Sequence, residues 1–179
     1  MVIKPKIIFL PGNGGDGNTE YCWFPYIKKE LENLGCEVIA PTFPDGMLAR
    51  ASLWLPFLES LGTDNNTILI GHSSGVVAAM RYAQDHTLLS SVLVAPCYTD
   101  LGLESEKVSG YYNDQWNWDK IIQNQKWIIQ FSSTNDPFIP IDEARLIHEK
   151  LHTEYYELSE GHFMQDSFSE LVEVVTKRM

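Results

Sequence analysis

The chain has 179 residues, 44% of them hydrophobic, enough to bury one sizeable core, and a single domain over 1–179 is expected. With 24 acids against 13 Lys and Arg, the net charge of −11 argues against a nucleic-acid partner, because phosphate binding needs a positive stripe. Cys22, Cys36 and Cys97 form an odd set without C-x-x-C spacing, so reduced thiols are expected rather than a disulfide framework or a zinc knuckle. Met1 to Leu10 offers only a short apolar run after Lys4-Pro5-Lys6, too brief for a leader or a membrane span, and a cytoplasmic protein without a membrane partner is expected.

Short β-branched runs then alternate with amphipathic stretches. Lys6 to Leu10 is a continuous apolar run of the kind buried on both faces of a parallel sheet. A glycine-rich loop follows, then a helix near Phe24 to Leu34, with Pro25 in its first turn and Gly35 at its stop. Glu37 to Ala40 reads as the second strand, Leu48 to Leu61 as a helix, and Thr67 to Ile70 as the third strand. A helix from Gly75 to Asp85 leads to the fourth strand, Ser91 to Ala95. Residues 96–117 look irregular and could form a small flap, too short to be a cap domain. Trp118 to Asn124 reads as a helix, Lys126 to Ser132 as the fifth strand, Ile141 to Leu151 as a helix, Glu154 to Leu158 as the sixth strand, and Ser167 to Lys177 as the terminal helix. Six strands joined by helical crossovers imply an α/β sandwich with a mostly parallel sheet and helices on both faces.

Gly71-His72-Ser73-Ser74-Gly75 stands directly after a predicted strand and directly before a predicted helix. G-x-S-x-G in that context is a nucleophile elbow, whose sharp turn lifts the serine above the carboxyl edge of the sheet. A Cβ at Gly71 or Gly75 would collide with the neighbouring strand or helix, while His72 reads as merely the intervening residue. A serine hydroxyl is a weak nucleophile at neutral pH, so it needs a histidine base held by a carboxylate. His86 falls at the end of the following helix, and His148 and His152 fall on the solvent side of another, which leaves His162, in the loop after the last strand. The acid belongs after the penultimate strand, where Asp136 stands ahead of Pro137, with Asp100 as the rival. Oxyanion donors are expected from the amide of Ser74 and from the loop after the first strand, at Asn13 or Gly12 with Asn13 preferred in the assignment.

Two other motifs carry less. Gly12-Asn13-Gly14-Gly15-Asp16-Gly17 spells G-x-G-x-x-G, but the helix does not open inside it and no acid ends the second strand, so a dinucleotide is not expected. His148-Glu149-Lys150-Leu151-His152 spells H-E-x-x-H, yet the apolar stripe of Ile141, Ala144, Ile147 and Leu151 leaves both histidines toward solvent, so no metal is expected. No cofactor is implied.

These motifs, with Trp54-Leu-Pro-Phe57, Ala78-Ala-Met-Arg-Tyr82, Ser109-Gly-Tyr111, Trp116-Asn-Trp118, Asp136-Pro-Phe138 and Gly161-His-Phe163, make the chain resemble the small serine hydrolases typified by retinoblastoma-binding protein 9. The resemblance implies an α/β-hydrolase fold with strand order 2-1-3-4-5-6 and no large cap. It also implies a Ser73, Asp136, His162 triad acting on small ester or amide substrates, among them aminoacyl derivatives. The L-x-C-x-E segment tied to retinoblastoma-protein binding is absent, since the stretch reads Leu61-Gly-Thr-Asp-Asn65, so the expected partner is a small molecule. Trp54, Tyr98, Trp116, Trp118 and Phe138 are candidates for an apolar substrate wall. The competing reading is a scaffold that keeps a hydrolase shape without the chemistry, because fold alone does not guarantee activity.

Overall fold

The computed structural model describes residues 4–179; Met1, Val2 and Ile3, which open the stretch weighed above as a leader, lie outside the described residues. Six parallel strands form one sheet: β1 (Lys6–Leu10), β2 (Glu37–Ile39), β3 (Thr67–His72), β4 (Ser90–Val94), β5 (Trp127–Ser133) and β6 (Glu154–Leu158). Their order is β2-β1-β3-β4-β5-β6, as the sequence implied. The register sets Ile8 beside Leu69 and Phe9 beside Ile70. Every residue of β3 is buried, which is why Ile68, Leu69 and Ile70 run apolar without alternation.

Among the described residues, seven helices cover the sheet: α1 (Phe24–Asn33), α2 (Ala51–Ser60), α3 (Ser74–Ala83), α4 (Glu104–Ser109), α5 (Trp118–Gln123), α6 (Ile141–Leu151) and α7 (Ser169–Arg178). α1 packs on α7, while α2, α3, α5 and α6 contact one another in a second layer. All ten residues of α3 are buried, so the helix that starts at the predicted elbow is the most enclosed of the helices described. On α6 the buried face is Ala144, Ile147 and Leu151. No helix among the described residues is long and apolar enough to cross a membrane.

Two boundaries differ from the sequence reading for identifiable reasons. β3 runs two residues further, because Gly71 and His72 still pair with Leu93 and Val94 before the turn begins. α2 starts at Ala51 rather than Leu48, because Asp45 Oδ2 accepts the Arg50 amide (3.2 Å) and Ala49 sits at φ 49°, which holds the preceding residues in a turn. The stretch expected to be irregular contains α4, with acids Glu104 and Glu106 in its first turn and left-handed Gly110 (φ 83°) at its end.

Candidate active site

Ser73 occupies the turn between β3 and α3 at φ 54°, ψ −119°, a backbone conformation that side chains other than glycine rarely adopt. Its amide donates to the Val94 carbonyl (2.9 Å), which ties the turn to the neighbouring strand. The turn closes only because its flanking residues lack side chains. A Cβ at Gly71 would meet the Gly75 carbonyl, and one at Gly75 would run into the Leu10 and Pro11 carbonyls of the loop after β1.

Asp136 follows β5, and its side chain is 3% exposed. Its Oδ1 accepts the amides of Phe138 (2.8 Å) and Ile139 (3.1 Å), and its Oδ2 faces His162 Nδ1 at 2.7 Å. Burial pushes the Asp136 pKa up, but the hydrogen bonds from His162 and the two amides outweigh it and hold the carboxyl below its ordinary value. An ionised carboxylate can only accept, so the neutral His162 ring carries its proton on Nδ1 and leaves the Nε2 lone pair free. The rival acid is elsewhere: Asp100 Oδ1 accepts the Gly102 amide (2.8 Å) within its own turn.

Ser73 and His162 line one cleft of about 860 Å³, together with Tyr21, Glu106, Leu103 and Phe138. Among the described residues, Ser73 Oγ and His162 Nε2 are not hydrogen-bonded, a contact that is often long before substrate arrives. The Phe138 ring stands edge-on to His162, with centroids 5.0 Å apart. Of the two loop amides weighed as donors, Gly12 is occupied, giving its proton to Tyr21 Oη at 2.8 Å. The Asn13 amide has no acceptor among the described residues, and Ser74, as the first residue of α3, has an amide with no intrahelical acceptor.

Four of the five residues named for a substrate wall are not in the cleft, and only Phe138 is. Trp54 is fully buried, donating Nε1 to the Pro44 carbonyl (2.6 Å) against Phe43. Trp116 lies under the Arg81 guanidinium, 3.6 Å from ring centroid to Cζ, and donates to the Tyr98 carbonyl (2.8 Å). Trp118 stacks on Trp116 and meets Tyr98 edge-on. The cause is Arg81, which also donates to the carbonyls of Tyr111, Asp114 and Gln115 and so draws this aromatic segment onto α3 instead of over Ser73.

The cleft also contains residues the sequence reading passed over. Glu106, on α4, accepts from Asn13 Nδ2 (2.6 Å) and Tyr112 Oη (3.2 Å), joining α4 to the loop after β1. Tyr21 supports Gly12, and burial pushes its hydroxyl pKa up to about 12. His72, treated as filler, is 2% exposed and bonds the His162 carbonyl. In the H-E-x-x-H segment, His148 is half-buried against Tyr155 and bonded to Thr153, and His152 is an exposed left-handed cap, so only the second keeps to solvent.

A serine raised on a strained strand-to-helix turn at the carboxyl edge of a parallel sheet is the mark of an α/β hydrolase. Solved structures share that fold. The ydeN gene product of Bacillus subtilis superposes with a TM-score of 0.88 at 22% identity, covering 97% of this chain and 98% of that one. Est1E from Butyrivibrio proteoclasticus, with ferulic acid bound, superposes with a TM-score of 0.73 at 14% identity over 98% of this chain and 88% of its own. The chain itself belongs to the serine hydrolase family, whose model matches residues 7–177. It is 43% identical to serine hydrolase RBBP9 of Rattus norvegicus over 178 residues, 98% of this chain and 96% of the rat protein.

Proposed function

We propose that this hydrolase cleaves small esters or amides through a covalent acyl-enzyme on Ser73. His162 Nε2 takes the Ser73 hydroxyl proton as Oγ attacks the substrate carbonyl, and the tetrahedral oxyanion is held by the amides of Asn13 and Ser74. The intermediate collapses as His162 gives that proton to the leaving oxygen or nitrogen. Water, deprotonated by the same ring, then attacks the acyl carbonyl, and Ser73 is released with its proton restored. Asp136 stays ionised, fixing the tautomer of His162 and stabilising its cationic form. The single observation that carries this reading is the 2.7 Å Asp136–His162 bond in the cleft that also holds Ser73.

The carboxylates lining the cleft are Asp16, Glu20 and Glu106, and among the described residues no Lys or Arg joins them there. That lining supports substrates carrying a cation, such as an aminoacyl ester with a free amine, over anionic ones. The test is labelling with a fluorophosphonate probe. Wild type is expected to label and Ser73→Ala not to, with kcat on the best ester falling by about five to six orders of magnitude. A folded Ser73→Ala protein that still turns over substrate would overturn the reading, and a folded wild type that neither labels nor hydrolyses would favour a scaffold.

A further inference from the structure

The loop carrying His162 is held at four successive residues by side chains from elsewhere. Ser133 Oγ accepts the Glu160 amide (2.9 Å), Asn135 Oδ1 accepts the Gly161 amide (2.8 Å), His72 Nε2 lies 2.8 Å from the His162 carbonyl oxygen, and Trp23 Nε1 donates to the Phe163 carbonyl (2.9 Å). The loop needs such anchors, because Gly161 (φ 56°) and Phe163 (φ 55°) are both left-handed and Phe163 is not a residue that prefers that region. Ser133 and Asn135 flank the exit of β5, next to Asp136, and Trp23 immediately precedes α1. Only His72 belongs to the strand that carries the nucleophile, one residue before Ser73.

We propose that His72 is a positioning residue for His162: by donating Nε2–H to the His162 carbonyl it fixes the base against the strand that presents Ser73. This rests on the triad reading above. A carbonyl oxygen accepts and never donates, so the neutral His72 ring must carry its proton on Nε2. Nδ1 is then a bare lone pair, and it has no hydrogen-bond partner among the described residues. A second proton there would be buried without an acceptor, at a site bounded by Tyr21, Trp23 and Phe24, whose ring centroids lie 6.3, 5.9 and 6.4 Å from that of His72. Burial accordingly holds its pKa down, to about 4, with the nearby His162 acting the same way. Neutrality matters, because the His72 and His162 rings are 4.9 Å apart and a cation at His72 would oppose the imidazolium that forms at His162 during attack. The enclosing rings also keep the donor from swinging away. His72 thus supplies a fixed, uncharged donor where an Arg or Lys would bring a charge.

The experiment compares His72→Gln with His72→Met. Their side chains have the same length and nearly the same volume, but only glutamine retains an N–H at the reach of Nε2. With p-nitrophenyl acetate, His72→Met is expected to lose about 10²-fold in kcat with KM changed less than about twofold, the pattern of a misplaced base rather than lost binding. His72→Gln is expected to recover kcat to within about fivefold of wild type, and its fluorophosphonate labelling rate should follow. Should His72→Met not fold, His72→Asn replaces it, since its amide is one bond too short to reach and should be impaired while His72→Gln is not. Wild-type kcat in a folded His72→Met or His72→Asn, or equal impairment of His72→Gln and its comparison variant, overturns the proposal. His162→Ala is assayed alongside: activity there sinks the triad reading itself, whereas an inactive His162→Ala beside an unimpaired His72→Met sinks the positioning role alone.

Discussion

His72 also couples stability to pH, and the direction follows from its protonation in the two states. Its pKa falls from 6.5 to about 4 on folding, mainly through burial, so between those values the unfolded chain binds a proton that the folded chain does not. Stability therefore declines as pH drops from 6.5 toward 4, by an amount on the order of 3 kcal/mol, and is level in this respect above that window. Asp136 acts lower on the scale. Its folded pKa is depressed, so its contribution is present above the unfolded carboxylate value and is lost as pH falls through the folded one. Urea unfolding of wild type and His72→Gln at pH values between 4 and 7 checks the first statement, since the variant should show the shallower slope. Asp136→Asn is expected to lower kcat by about 10⁴-fold at neutral pH while the protein stays folded, as measured by steady-state kinetics beside a thermal melt. Ser73, Asp136 and His162 were singled out from the sequence because the chemistry proposed for them dictates their residue types and their places after particular strands, and the folded chain brings Ser73 and His162 into one cleft with Asp136 bonded to His162. His72 was not, because the motif accepts any residue between glycine and serine, and only the folded chain shows what its ring touches.

The strands were legible as elements because a parallel strand covered on both faces is apolar without alternation through its centre, as residues 7–10 of β1 and 68–70 of β3 are. α4 was not. Its six residues bury Glu106 and Ser109 and leave Val108 53% exposed, so the usual apolar stripe is inverted and no hydrophobic period marks it. Glu106 is buried because the Asn13 amide group and the Tyr112 hydroxyl donate to it, partners that lie far away or in an unpredicted turn. The aromatic wall was misplaced for a related reason, since nothing in Trp116 or Trp118 announces that Arg81 will collect them. Two substitutions separate the duties of Glu106. Glu106→Gln keeps an acceptor for Asn13 and removes the charge, so neutral esters should be hydrolysed as before while amine-bearing esters lose about tenfold in kcat/KM, equivalent to about 1.4 kcal/mol. Glu106→Ala also frees the loop after β1 and should slow both substrates, with a stability loss of about 1–3 kcal/mol from the donors left unpaired. Parallel assays on one matched pair of esters distinguish these outcomes.

Across the whole molecule, a net charge of −11 and a cleft whose carboxylates have no Lys or Arg beside them among the described residues set the same bias. The kcat/KM for a cationic ester should fall as ionic strength rises from about 0.01 to 1 M, over which the screening length contracts from about 30 to 3 Å, while that for a neutral ester stays level. A salt-independent preference for the cationic ester would place its recognition in contact packing instead. The parallel sheet was legible because right-handed helical crossovers return each strand to it, its order followed only from the resemblance that the motifs carry, and what stayed hidden was the wiring between loops. That wiring has a consequence in time. The carbonyl that His72 holds belongs to a residue 90 positions further along the chain. At about 5–20 residues per second on a ribosome, Ser73 waits roughly 5 to 20 seconds for the histidine proposed as its base. On the proposed mechanism the nascent chain therefore presents a nucleophile that cannot yet attack, and competence arrives when the final strand docks and the histidine loop closes against the waiting ring.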